Sequence, residues 1–113
     1  DLILGYTAHT PELAREAESL PVDYLGSGPV FGTRTKKDPK PTLGLDGLRR
    51  IRQAFSRTLV GIGSITPESA GRVIRAGADG VAVVSAICSA PSPLETAAQM
   101  RQSIAAARRD LKS

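Results

Sequence analysis

The chain has 113 residues, which is enough for one modest domain. Hydrophobic residues make up 41% of it and aromatic residues only 4%, so the core has to be filled by aliphatic side chains, as is common in α/β proteins. The net charge of +4 would attract anions, but the motifs that read DNA or RNA are missing and only two tyrosines and two phenylalanines could stack on bases, so nucleic acid is not an expected partner.

Membrane insertion and disulfide bonding are not expected either. No apolar run approaches the length that is needed to cross a bilayer, so we expect no membrane partner. The single cysteine, Cys88, cannot form an internal disulfide, which favours a cytoplasmic location.

Four βα units are predicted from short apolar runs that are each followed by a helical pattern. The predicted strands cover Leu2 to Leu4, Tyr24 to Ser27, Leu59 to Ile62 and Val81 to Val84. The predicted helices run from about Pro11 to Leu20, from about Leu45 to Phe55, from Thr66-Pro67-Glu68 to just before Gly77, and onward from Pro93.

Helix starts and buried faces follow from capping residues and helical spacing. Thr10 before Pro11 and Thr66 before Pro67 are N-cap signals, because a hydroxyl can accept from the free N–H groups of the first turn. The positions predicted to face the core are Leu13, Ala14, Ala17 and Leu20 in the first helix, Leu48, Ile51 and Phe55 in the second, and Ala70, Val73 and Ile74 in the third.

Four successive βα units make half of a (β/α)8 barrel, and a doubled chain would have about 226 residues, which is usual for that fold. A half-barrel has two open sheet edges and an unfilled interior, and Asp1 is not a translation start. We therefore expect residues 1–113 to be one segment of a longer polypeptide. Asp23 and Asp79 begin two of the strands, where a barrel keeps residues that serve stability, so both are predicted to be structural.

Functional groups of a barrel lie just after the carboxyl ends of its strands. Thr7 and His9 follow the first predicted strand, and His9 could act as an acid or base, although a structural role at a helix start is favoured. Ser64 follows the third strand in a glycine-containing turn that leads to a helix N-terminus, and Ser85 follows the fourth. Barrels often hold phosphate between the loops after strands seven and eight, so if the third and fourth strands here are those two, Ser64 and Ser85 share one anion.

The segment from Gly26 to Asp38 leads from the second strand into a loop that is rich in hydroxyls and cations. Its hydroxyl and basic residues are Thr33, Arg34, Thr35, Lys36 and Lys37. Prolines keep the segment open, so it does not match a P-loop, and its composition is typical of a site for a phosphorylated ligand. No pair of neighbouring carboxylates is evident, so no metal site is predicted within the chain.

Three motifs resemble those of the thiamine phosphate synthases. They are Gly-Pro-Val-Phe-x-Thr-x-Thr-Lys-Lys-Asp from Gly28 to Asp38, Gly-x-Ile-Thr-Pro-Glu from Gly63 to Glu68, and Ala-Gly-Ala-Asp-Gly-Val-Ala-Val-Val-Ser-Ala-Ile from Ala76 to Ile87. The resemblance covers nearly the whole chain and implies an α/β fold that is the C-terminal half, (βα)4, of a TIM (β/α)8 barrel. It also implies the coupling of hydroxymethylpyrimidine diphosphate to thiazole phosphate, with Mg²⁺ present and pyrophosphate released.

The resemblance further implies roles for single residues. The thiazole phosphate would be bound by Thr33, Arg34, Thr35, Ser64, Val84 and Ser85. Lys36 and Thr7 would bind the pyrimidine diphosphate, and Lys36 is the expected catalytic cation because a fixed ammonium stabilises a departing pyrophosphate. The family usually has glycine where this chain has Ser64 and serine where it has Thr7.

The Mg²⁺ ligands of that family belong to the N-terminal half of the barrel, so the expected partner is that half, and the chain alone should be inactive. The sequence leaves a homo-oligomer open. Two alternative functions also stay open: a thiazole tautomerase-like isomerase, with His9 transferring protons, and a non-catalytic phosphate-binding or regulatory barrel. The intact motif from Thr33 to Asp38 favours the synthase.

Overall fold

The computed structural model describes residues 3–31, 42–82 and 92–112, and within them strands alternate with helices. The strands are β1 (Gly5–Thr7), β2 (Tyr24–Ser27), β3 (Thr58–Ile62) and β4 (Gly80–Ala82). The helices are α1 (Pro11–Glu18), α2 (Gly44–Ala54), α3 (Pro67–Arg75) and α4 (Pro93–Lys112). None of the described helices is both long and apolar enough to cross a membrane.

All four strands are parallel and lie in the order β1-β2-β3-β4. Gly5 pairs with Tyr24, Tyr24 pairs with Thr58, and Val60 pairs with Gly80, so each strand contacts the next one along the chain. This order confirms the predicted α/β half-barrel, and it brings the carboxyl ends of the strands to one edge of the sheet.

The two faces of the sheet differ in burial. Leu25 and Leu59 point to the helical layer and are fully buried, whereas Tyr24 and Ile62 on the opposite face are 39% and 38% exposed. The core between sheet and helices is mainly aliphatic, as the composition predicts; its largest side chains are Phe55, Leu25, Leu48, Ile51, Leu59, Ile65 and Ile74. Parallel sheets are normally covered on both faces, so the open face of the described sheet is the one that a closed barrel would turn inward.

Two aspartates fasten the amino-terminal edge of the sheet in the same way. The Asp23 carboxylate accepts from the N–H of Leu4 at 2.7 Å, and the Asp23 N–H donates to the Leu4 carbonyl at 2.7 Å. The Asp79 carboxylate accepts from the N–H of Leu59 at 2.8 Å, and the Asp79 N–H donates to the Leu59 carbonyl at 2.7 Å. These paired bonds support the structural role predicted for both residues.

Two arginines add to this edge. Arg52 pairs with Asp79 at 3.0 Å and donates to the carbonyls of Gly77, Phe55 and Arg57. Arg57 lies over the Phe55 ring, 4.9 Å from its centroid. Its guanidinium donates to four carbonyls at the end of α1 and in the turn after it: those of Ala17, Glu18, Leu20 and Val22. The last carbonyls of a helix have no partner within the helix, so Arg57 caps α1.

Three sequence expectations need adjustment. The first strand is Gly5–Thr7 rather than Leu2 to Leu4, because the bonds between Leu4 and Asp23 place the start of the ladder at Gly5. Helix α1 ends at Glu18, which leaves Leu20 40% exposed rather than in the core. The fourth strand is observed over Gly80–Ala82, and the rest of its predicted range lies outside the described residues.

Candidate functional site

The carboxyl-terminal edge of the sheet contains a cleft of about 660 Å³. Its lining comes from the ends of β1 and β2 and from the residues before α2: Thr7, His9, Thr10, Gly28, Pro29, Thr42 and Leu43. Three of these side chains carry hydroxyl groups and one carries an imidazole, so the cleft can offer hydrogen bonds to a polar ligand.

The connection from β1 to α1 forms one wall of the cleft. The Ala8 N–H donates to the Gly26 carbonyl at 3.0 Å, and Ala8 is fully buried. Thr10 is the N-cap of α1, as predicted, and its hydroxyl accepts a hydrogen bond from the N–H of Leu13 at 3.1 Å. Between these fixed points the side chain of His9 is exposed.

The second wall begins at the end of β2. The Gly28–Pro29 peptide bond is cis, and the Val30 N–H donates to the Ile62 carbonyl of β3 at 2.8 Å. The N–H of Leu43 donates to the Pro29 carbonyl at 2.8 Å. Through these bonds the residues on either side of the segment 32–41 lie next to each other at the cleft.

The turn between β3 and α3 has two residues with positive φ. Gly63 has φ 103°, and a Cβ atom placed on it would lie 2.8 Å from the Cα of Pro29, so only glycine fits. Ser64 follows with φ 51°, a left-handed conformation that costs a non-glycine residue about 1–2 kcal/mol. This turn therefore packs directly against the cis-proline segment of the cleft.

Helix α3 starts right after this turn with a complete capping box. The Thr66 hydroxyl accepts from the Ser69 N–H at 3.3 Å, and the Ser69 hydroxyl accepts from the Thr66 N–H at 2.9 Å. The N-cap at Thr66 is as predicted. The positive end of the α3 dipole lies at the carboxyl-terminal edge, which favours an anion there.

Of the predicted site residues, Thr7 and Ser64 are described. Both lie at the carboxyl-terminal edge, Thr7 as the exposed last residue of β1 and Ser64 beyond β3. The other predicted site residues, Thr33, Arg34, Thr35, Lys36, Val84 and Ser85, lie outside the described residues. The anion shared by Ser64 and Ser85 stays a prediction.

Sequence reasoning missed Thr42 and Leu43 as lining residues. No motif includes them, and only the backbone bonds from Leu43 and Gly44 back to Pro29 and Val30 bring them to the cleft. The described ranges contain no group of three or more histidine, cysteine, aspartate or glutamate residues that could hold a metal ion.

Comparison with known proteins identifies the family. The profile of the thiamine monophosphate synthase family matches residues 1–87. The thiamine-phosphate synthase of Geobacillus kaustophilus is 49% identical over 109 residues, covering 96% of this chain and 49% of that protein. The thiamine-phosphate synthase of Albidiferax ferrireducens is 50% identical over 105 residues, covering 92% of this chain and 48% of that protein.

The likeness extends to structure. A solved structure of thiamine phosphate pyrophosphorylase from Pyrococcus furiosus superimposes with a TM-score of 0.83 at 35% sequence identity, covering 94% of this chain and 50% of that chain. The chain thus spans about half the length of the curated relatives that it matches. On the profile match and on the identity to named relatives over nearly its whole length, the chain belongs to the thiamine monophosphate synthase family.

Proposed function

We propose that the protein that carries this chain couples hydroxymethylpyrimidine diphosphate to thiazole phosphate and releases pyrophosphate. The observation that carries the proposal is the 49% identity to a named thiamine-phosphate synthase across 96% of the chain. The cleft supports it, because that cleft lies at the edge of the sheet where barrels bind substrates.

The geometry of this edge suits two phosphorylated substrates that lie side by side. Thr7 ends β1, and Ser64 follows β3, two strands away. Neighbouring strands are about 4.8 Å apart, so the two positions are separated by roughly 10 Å across the sheet. We assign Thr7 to the pyrimidine diphosphate and Ser64 to the thiazole phosphate.

The segment 32–41 carries Thr33, Arg34, Thr35 and Lys36, and it is followed directly by Thr42, which lines the cleft. We assign Thr33, Arg34 and Thr35 to the thiazole phosphate, and we assign Val84 and Ser85 to the same phosphate as Ser64. Lys36 is assigned to the diphosphate as the catalytic cation.

In the proposed reaction the bond between the pyrimidine methylene carbon and the diphosphate oxygen breaks. The electron pair leaves with pyrophosphate, and the thiazole nitrogen forms the new bond to the methylene carbon. Negative charge grows on the leaving group during this step, so the ammonium of Lys36 stabilises the transition state more than the bound substrate.

The described residues do not supply a site for Mg²⁺, because they contain no cluster of three suitable ligands. We propose that the Mg²⁺ ligands lie in the N-terminal half of the barrel, in sequence beyond this chain. Residues 1–113 are then one half-barrel segment, and the exposed side chains of Tyr24 and Ile62 on its open face are the surface that the other half would cover. We further propose a cytoplasmic location, which the single cysteine favours.

The test uses the full-length protein with both phosphorylated precursors and Mg²⁺, and it follows thiamine phosphate and pyrophosphate in parallel. We expect the two products in equal amounts. Lys36→Ala should lower kcat by about 100-fold or more, as loss of an electrostatic catalytic group commonly does. Lys40→Ala removes a second charge from the same segment and should keep kcat within about threefold.

Absence of both products with the wild-type protein would overturn the proposed function. Product formation that is equally fast in Lys36→Ala and Lys40→Ala would leave the reaction in place and remove the role assigned to Lys36.

A further inference from the structure

The described lining of the cleft includes an ionisable side chain, His9, that the proposed function does not use. Among the described residues of its lining, only His9 can carry a charge, since the others are three threonines, a glycine, a proline and a leucine. The His9 side chain is exposed and makes no hydrogen bond to another described residue. The imidazole is therefore available to a ligand.

The backbone around His9 is held on both sides. On one side the Ala8 N–H donates to the Gly26 carbonyl of β2 at 3.0 Å. On the other side Thr10 is the N-cap of α1 and has an extended backbone conformation. A ligand that contacts the imidazole thus has little backbone to order, which lowers the entropic cost of binding.

We propose that His9 is a further binding residue for the diphosphate of the pyrimidine substrate. This inference rests on the proposed function, which assigns that substrate to the β1 side of the cleft through Thr7. His9 follows Thr7 by two residues on the same wall, whereas Ser64 lies beyond β3. His9 therefore belongs to the diphosphate side rather than to the thiazole phosphate side.

The chemistry of an imidazole fits this ligand. One ring nitrogen of a neutral histidine donates a hydrogen bond, and both donate when the ring is protonated. Bonds from such donors to anionic oxygens are stronger than bonds between neutral groups. His9 holds the diphosphate before and after the bond to the methylene carbon breaks, and it transfers no proton in the proposed role.

The experiment compares His9→Ala and Glu12→Gln in the full-length protein. We expect His9→Ala to raise KM for the pyrimidine diphosphate about 10-fold to 100-fold, as loss of a hydrogen bond to a charged group does, and to keep KM for the thiazole phosphate within about twofold. His9→Asn retains a donor and should fall between wild type and His9→Ala. Glu12 lies three residues further on in a groove between α1 and α2, outside the cleft, so Glu12→Gln should change neither constant.

Binding of inorganic pyrophosphate, measured by titration calorimetry, tests His9 without any turnover. We expect its Kd to rise in His9→Ala by the same factor as KM for the pyrimidine diphosphate. Unchanged pyrophosphate affinity in His9→Ala would overturn the inference, and so would an equal rise of both KM values, since that would mean a general distortion of the cleft. A wild-type protein that binds pyrophosphate but makes no thiamine phosphate would instead overturn the proposed function.

Discussion

The two edges of the sheet use their polar side chains in opposite ways. At the amino-terminal edge, Asp23 and Asp79 each bond to the backbone of the neighbouring strand segment. Arg52 and Arg57 together donate to seven backbone carbonyls there. These side chains stabilise the fold through their hydrogen bonds, which is the usual role of residues at this edge of a barrel.

Apart from the helix-capping residues such as Thr10 and Thr66, the described part of the carboxyl-terminal edge has polar side chains that are not bonded within the chain. Thr7, His9 and Ser64 make no side-chain hydrogen bond to another described residue. The same edge contains the two positive-φ residues of the β3–α3 turn, Gly63 and Ser64. A side chain that is bonded within the chain has little to offer a ligand, so the edge with unbonded polar groups is the one suited to binding. Substitutions at the two edges should therefore affect different properties.

The largest expected loss of stability is at the amino-terminal edge, in Arg57→Gln. This change removes a guanidinium that serves four carbonyls and lies over the Phe55 ring, so we expect the free energy of unfolding to fall by about 2–3 kcal/mol in a urea titration. Arg49→Gln is the matched control, because Arg49 pairs with Asp46 on the exposed side of α2 and should cost about 0.5 kcal/mol or less. Equal losses in the two variants would contradict the capping role of Arg57.

Gly63→Ala should have a slightly smaller effect on stability and a larger one on binding. An alanine there has to adopt φ 103° and move against Pro29, which should cost about 2 kcal/mol. The displaced turn should also raise KM for the thiazole phosphate about tenfold in the full-length enzyme, since each 1.4 kcal/mol of lost binding is tenfold. A normal KM in Gly63→Ala would show that the turn does not contribute to the site.

The fold was predictable because local signals agree with it. The run from Tyr24 to Ser27 is observed as β2, and Thr10 and Thr66 cap their helices as the sequence indicates. The predicted position of the first strand was wrong. The apolar residues lie before Gly5, whereas the pairing with β2 begins at Gly5, next to the hydrogen bond between Leu4 and Asp23. The register between β1 and β2 depends on this long-range contact, which a local sequence pattern does not contain.

The site was predictable only in part. Thr7 and Ser64 follow from the rule that barrel sites lie at the carboxyl ends of strands, and both are at that edge. Thr42 could not be found in this way, because it reaches the cleft through the bond from Leu43 to Pro29, across a segment with no periodic pattern. The left-handed conformation of Ser64 also has no sequence signal of its own, since serine does not favour positive φ.

A substitution of Ser27, at the carboxyl-terminal edge, should have a smaller effect and should increase the free energy of unfolding. It ends β2, is fully buried, and its hydroxyl has no hydrogen-bond partner among the described residues. Because burial of an unpaired hydroxyl is unfavourable, we expect Ser27→Ala to raise the free energy of unfolding by about 1 kcal/mol. Ser69 is also buried, but it completes the capping box of α3, so Ser69→Ala should lower the free energy of unfolding by about 1 kcal/mol. A loss of stability in both variants would mean that the Ser27 hydroxyl is paired in solution.

The smallest expected effect is the pH dependence at Glu18. Hydrogen bonds from the Ser56 hydroxyl and the Ser56 N–H lower the pKa of Glu18, and the charge of Arg57 lowers it further. A carboxyl whose pKa is lower in the folded state stabilises the fold above its unfolded-state pKa, and this contribution is lost as the pH falls through the folded-state pKa. Ser56→Ala should therefore raise the pKa of Glu18, which an NMR titration measures. The difference in the free energy of unfolding between wild type and Ser56→Ala should become smaller as the pH falls from neutral through the folded-state pKa of Glu18. Hydrogen bonding is the larger cause, so Arg57→Gln should raise the pKa of Glu18 by less than Ser56→Ala does; the reverse order would make the arginine charge the dominant cause at this edge.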